Sequence, residues 1–344
     1  MIIPVDYSVT DFDVEMHRDG VGMAARTWGF WTRGKLDILR AYLDAFTTAA
    51  QRSPELIYID VFAGTAENRD RLTQKRIEGS ARIALSIDSR SFTKLRFFES
   101  AENATSLRDV LQADFPNRDF LVIAGDSNEE VPKALRALAK WVRAPTFAFI
   151  DPNGMEAEWR ALKALADFRR NEKTKVELFY LFSPPMFQRL LRVDGTDVRP
   201  QDIDAIDLLF GTHDWYIIYQ ARLSEEIDPA EARERYLNLM RWRMENELGY
   251  KWTHSLEVKN ERGSPIYYLI FATDHQAGDK IMRHIFTKAA ETFPQMREEA
   301  QQMRRDIERE ATGVEKLFDD SSLRQPPEKD EGIYLHQPPW NPYS

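Results

Sequence analysis

The chain contains no cysteine among its 344 residues. That excludes disulfides, thiolate-held metals and cysteine nucleophiles, and it fits a reducing compartment. Histidine is scarce as well. His17, His213, His254, His275, His284 and His336 are scattered, and none forms an H-x-x-x-H spacing that would offer two metal ligands from one helix. They are expected at the surface or at caps. No apolar run approaches the ~20 residues of a membrane span, and the opening MIIPVDYSVTDFDVEM lacks a basic-then-apolar leader pattern. The expectation is a soluble cytoplasmic protein with no membrane partner. An excess of positive charge is also missing: the formal net charge is −9. An acidic whole is not a nucleic-acid footprint, although a local basic groove remains compatible with it.

What is present is ordinary globular composition, 43% hydrophobic and 30% charged. It suits one large α/β domain with an insertion, or two domains. Residues 1–30 read as an irregular extension carrying Trp28 and Trp31 near its end. In KLDILRAYLDAF, Leu36, Leu39, Leu43 and Phe46 recur at helical spacing. Five unbroken apolar runs follow: LIYIDVF (56–62), LRFFE (95–99), FLVIAGD (120–126), TFAFIDP (146–152) and VELFYLF (176–182). Unbroken runs predict strands covered on both faces. Helical patterns separate them. GSARIALSI offers Ser80 as N-cap. The others bury Leu107, Val110, Leu111 and Phe115; then Val131, Leu135 and Leu138; then Trp159, Leu162, Leu165 and Phe168. Strands alternating with helices predict a doubly wound, mostly parallel sheet spanning residues 31–182. Residues 183–250 read as a helical insertion. Within 251–311, WTHSLEVK and IYYLIFAT flank NERGSP, a hairpin signal, and a long charged helix follows from about 276. The tail, 312–344, is rich in Pro and polar groups, with Trp340 and Tyr343 as candidate docking residues.

Four acids end or follow successive strand-like runs: Asp60, Glu99, Asp126 and Asp151. In an open parallel sheet, ligands bind outside the carboxyl ends of the strands, at the switch point. Single acids there often only cap turns, but four in succession point to a shared site. An acid after the second strand commonly takes the ribose hydroxyls of an adenosine. A nicotinamide site wants G-x-G-x-x-G at the first turn. Here the turn is AGTAENR, with Gly64 followed by Ala66 and Arg69, which leaves little room for a pyrophosphate. S-adenosylmethionine has no pyrophosphate and tolerates such a turn. The closing antiparallel pair also suits a methyltransferase sheet better than a nicotinamide one.

The order DVFAGTAEN, EGSARIAL, RFFES, AGDSNE, FIDPNG with a following Trp, then IYYLIFATDHQAGDKIM, resembles the three-Cys-motif partner family over about residues 28–290. The resemblance implies a class I, Rossmann-like methyltransferase core. It also implies a separate partner protein with a three-cysteine motif, similar to radical-SAM iron–sulfur proteins. Any cluster would belong to that partner, since this chain has no cysteine ligands. By the likeness, Asp60, Phe62, Ala63 and Gly64 hold the methionine end of S-adenosylmethionine and Glu99 binds its ribose. Asp126 and Ser127 face the adenine, and Asp151 and Pro152, with Asn153 beside them, stand at the transfer point. Lys35 is a candidate for the cofactor carboxylate, although a plain solvated lysine at a helix start is the favoured reading.

Two departures bear on turnover. The first turn has Ala66 in place of a second glycine, and the fourth motif reads DPNG. Enzymes that methylate base amines usually carry Pro-Pro and an aromatic there, which stacks on a flipped base. Asn153 and Gly154 do not stack, Trp159 has core spacing, and SPPMF (183–187) reads as a strand end. A nucleic-acid base is therefore the acceptor by analogy only. A non-catalytic assembly partner of the same fold is the alternative. A metal-dependent nuclease built on EVK (257–259) is a weaker one. The arginine-rich faces of RERYLNLMRWRMEN, with Trp242, and of QMRRDIERE read as solvated ion-paired helices rather than a nucleic-acid groove.

Overall fold

A computed structural model describes residues 27–70, 72–73, 75–193, 197–312 and 333–343. Strand β1 (Thr27–Trp28) leads into helix α1 (Phe30–Ala49), followed by β2 (Ile57–Asp60), β3 (Glu67–Asp70), β4 (Arg76–Glu78) and α2 (Ser80–Leu85). Next come β5 (Lys94–Glu99), α3 (Ala104–Asp114), β6 (Phe120–Ala124), α4 (Ser127–Ala137), β7 (Thr146–Ile150), α5 (Trp159–Phe168) and β8 (Glu177–Phe182). Helices α6 (Pro184–Gln188), α7 (Pro200–Phe210), α8 (Trp215–Leu223) and α9 (Pro229–Asn246) precede the hairpin of β9 (Trp252–Lys259) and β10 (Pro265–Thr273) and the long helix α10 (Gln276–Thr312).

The main sheet has seven strands in the order β6-β5-β2-β7-β8-β10-β9. The first five run parallel, and β10 is antiparallel to both β8 and β9. The fold is thus α/β with a mostly parallel sheet covered by helices. Strand alternation sorts the core into two layers. Ile57, Ile59, Ile150, Leu178 and Phe182 face one layer with α4, α5 and α7–α9. Tyr58, Phe97, Phe147, Phe149 and Phe179 face the other with α1, α2 and α10. The central strands β2, β7 and β8 are buried throughout.

Several expectations are corrected. Strand β6 is not covered on both faces: it is the outermost strand, and Leu121 is 54% exposed. Val110 is half exposed rather than packed with Leu107 and Leu111. Helix α1 begins at Phe30, so residues up to 30 are not all irregular, while residues 1–26 and His17 lie outside the described residues. Ser80 does not cap α2. Gly79 holds the N-cap position, and a side chain there would meet the Thr65 carbonyl oxygen at 2.3 Å. A hairpin absent from the sequence reading, β3–β4, stands between the first turn and α2 and pairs with β1. His254 is not at the surface; it is fully buried between Asp279 and Tyr334. In the tail, Trp340 docks through its backbone on the Asn238 amide. Tyr343 donates to Asp214 and packs on Trp242.

Candidate functional site

The turn after β2 is held by its neighbours. Val61 N donates to Phe149 O and Ala63 N to Phe98 O, both at 2.9 Å. Ser127, at the start of α4, donates its hydroxyl to Val61 O at 2.5 Å. Gly64 then turns with φ of 60°, a left-handed conformation natural to glycine. Its N–H reaches Glu99 Oε2 at 2.7 Å. No heavy atom lies within 4 Å of where a Gly64 side chain would stand, so the turn faces open space. Glu99 also accepts from Ser100 and Asn103, which fixes its carboxylate beside the turn. Phe62 and Ala63 contribute backbone shape, because their side chains pack into the core.

Asp60 is completely buried. Tyr58, two residues earlier and on the same strand face, donates to its Oδ2 at 3.1 Å. Burial pushes the Asp60 carboxyl up to about 7. The Tyr58 hydrogen bond and the polar Ser80 side chain nearby oppose that rise, and the charges of Asp151 and Glu99 add to it. Its Oδ1 has no hydrogen-bond partner among the described residues. An orphan buried carboxylate oxygen is rare and costly, and it is the feature of this region that most asks for a ligand donor.

Asp151, just beyond β7, receives Lys35 Nζ from α1 at 2.5 Å. Lys35 is buried, so the favoured reading of a solvated lysine is overturned; it sits in the second turn of α1 and reaches the loop that follows the central strand β7. Tyr267 of β10 lies beside the pair, with its hydroxyl on Trp31 O, and burial and then Asp151 raise it well above the usual tyrosine range. Asp126 plays a different part. It caps α4 by accepting from Asn128 N. Asn128 in turn ties Glu156 and Glu158 of the loop after β7. Pro152 is buried, and exposed Asn153 donates its N–H to Glu156.

The structure therefore brings Lys35, Asp60, Gly64, Glu99 and Asp151 to the carboxyl ends of adjacent strands, with Ser127 touching the same turn. Asp126 follows β6 at the same end of the sheet and caps α4. Tyr58, Ser80 and Tyr267 were missed by the sequence reading. The period of two along LIYID was a usable signal for Tyr58, whereas nothing local marks Tyr267.

The other constellations are engaged elsewhere. Glu257 accepts from Tyr268, and among the described residues no group of three or more His, Cys, Asp or Glu side chains is placed to hold a metal. Arg241 is buried on Thr253 O and Gln337 O, and Arg243 stacks on Trp159 and pairs with Glu247. SPPMF ends β8 and opens α6, as expected of a strand end. Two clefts, of about 100 and 360 Å³, lie between α9 and the tail, away from the strand ends.

No family model matches the chain, and no curated protein is similar to it. Among solved structures, protein LPL1258 from Legionella pneumophila is similar over 71% of this chain and 88% of its own, at 11% identity and a TM-score of 0.42. That is a loose likeness of α/β fold and carries nothing about function.

Proposed function

We propose that the chain binds S-adenosylmethionine on the turn from Asp60 to Gly64 and is a methyltransferase. By its family resemblance, it works beside a three-cysteine-motif iron–sulfur partner. The strand order supports the Rossmann-like, methyltransferase-type reading of the sheet. It reverses direction between β2 and β7, the place where open α/β sheets bind ligands, and it closes with an antiparallel pair. The single observation that carries the proposal is the pairing of an open Gly64 turn with Glu99 at 2.7 Å, beside the unpartnered Oδ1 of Asp60. When bound, the cofactor supplies an activated methyl group. In this reading Asp60 accepts from its ammonium, Glu99 from its ribose hydroxyls, and Lys35 meets its carboxylate. Asp151 orients the acceptor or takes its proton. A nucleic-acid base is the acceptor class by analogy alone.

A second reading, a methyltransferase-fold assembly partner without turnover, is favoured by one observation. Asp151 is already neutralised by Lys35, and the exposed Asn153 beyond it offers no stacking ring. Calorimetric titration of S-adenosylmethionine into the folded chain separates the cases. The expected result is binding that weakens at least tenfold in Glu99→Ala. No binding by the folded wild type, alone or with its partner, rejects the cofactor reading. Binding without methyl transfer to any nucleic acid leaves the assembly reading.

A further inference from the structure

The two edges of the main sheet are treated differently. At the β9 edge, the outward backbone of Thr253 is satisfied by side chains. Its N–H donates to Glu245 at 2.8 Å, and its carbonyl accepts from Arg241 at 2.6 Å. At the β6 edge no such cover exists among the described residues. Leu95 N donates to Asp119 O and Gly125 N to Glu99 O, so the odd-numbered residues of β6 turn their backbone groups toward β5. The N–H and C=O groups of Phe120, Val122 and Ala124 therefore point outward, and no described residue hydrogen-bonds them. Natural edges are usually blunted by charge, proline or a bulge. Phe120–Ala124 reads FLVIA and has none of these.

We propose that β6 pairs antiparallel with β6 of a second copy of this chain, about a two-fold axis at Val122. The strand is self-complementary in that register. Val122 faces Val122, and Phe120 faces Ala124, so the outward groups of one copy meet those of the other in about six hydrogen bonds. Leu121, 54% exposed in the single chain, lies against Ile123 of the second copy. A shared strand edge about a two-fold axis is an isologous contact that closes on itself, using the β6 edge of each copy once. The assembly is a dimer with one continuous sheet.

The test uses the full chain and begins with sedimentation equilibrium. Wild type is expected to dimerise with a midpoint on the order of micromolar, typical of a modest interface. Leu121→Lys should be monomeric over the same range with an unchanged melting temperature. The absence of native cysteine permits a register test. Val122→Cys places two thiols on α-carbons ~5.5 Å apart, within disulfide range. It should cross-link on oxidation, whereas Asp119→Cys should not. A chain monomeric to about 100 µM overturns the proposal. So does a dimer that survives Leu121→Lys, one that cross-links at 119 in preference to 122, or association that continues past two copies.

Discussion

Glu177 opens β8 at the end of the sheet opposite the candidate site. It is buried and accepts from Tyr42 OH and Thr273 Oγ1, each at 2.7 Å. Gly278 of α10 packs so close that a side chain there would meet Glu177 Oε1 at 2.3 Å. Burial pushes the carboxyl up to about 7, against the opposing hydrogen bonds from Thr273 and Tyr42. The unfolded chain holds this group near the ordinary value of 4.5. Between those values the folded state binds more protons than the unfolded one, so stability is full below about pH 4.5 and falls as pH rises toward 7. The whole shift is worth about 3 kcal/mol, of which about 2 falls between pH 5 and pH 7.5. Glu177→Gln keeps the shape and removes the titration. Urea melts of both proteins at the two pH values isolate the effect as a difference of differences. The wild type should lose about 2 kcal/mol more than the variant on going to the higher pH. An equal loss in both, or a larger loss in the variant, refutes the reasoning.

Lys35→Met strips the cation from half-buried Asp151. Breaking such a pair costs about 3 kcal/mol in urea melts, and adding Asp151→Asn should recover most of it. Gly79→Ala forces a methyl onto the Thr65 carbonyl and should cost about 1–3 kcal/mol, read as a lower melting temperature. His254 gives the opposite pH sign to Glu177. Burial, aided by His336, lowers it to about 4 while Asp279 opposes, so folding holds it neutral where the unfolded chain protonates. The wild type should lose stability relative to His254→Phe as pH falls from 6.5 to 4, measured by the same melts.

The central strands were legible because β2, β7 and β8 lie inside the sheet, where apolar residues fill both faces. The run FLVIA looks the same in one dimension, and only the strand order reveals that it is an edge. The hairpin β3–β4 was invisible because ENRD and RIE carry no apolar alternation and are held by β1 and by ion pairs such as Arg76–Glu67. Ser80 has the residue type of a cap, but Gly79 is the residue that fits against Thr65 at the start of the helix. All four acids, Asp60, Glu99, Asp126 and Asp151, stand at or just beyond strand ends, as the apolar runs predict. Asp126 follows a strand equally well yet caps a helix. Lys35 and His254 owe their burial to residues far away in the chain, Asp151 and Asp279, and no local pattern announces such pairings.

The turn after β2 has its Val61 N–H and carbonyl and the Ala63 and Gly64 N–H groups all committed, to β7, α4 and β5. Opening it would break bonds to three elements at once. A molecule arriving there meets a rigid floor, and the parts free to respond are side chains such as Glu99 and Lys35, whose rearrangements are far faster than loop or domain motions. Among the described residues, a perturbation at this place is therefore taken up by side chains, while the backbone of the turn is kept in place by three elements at once.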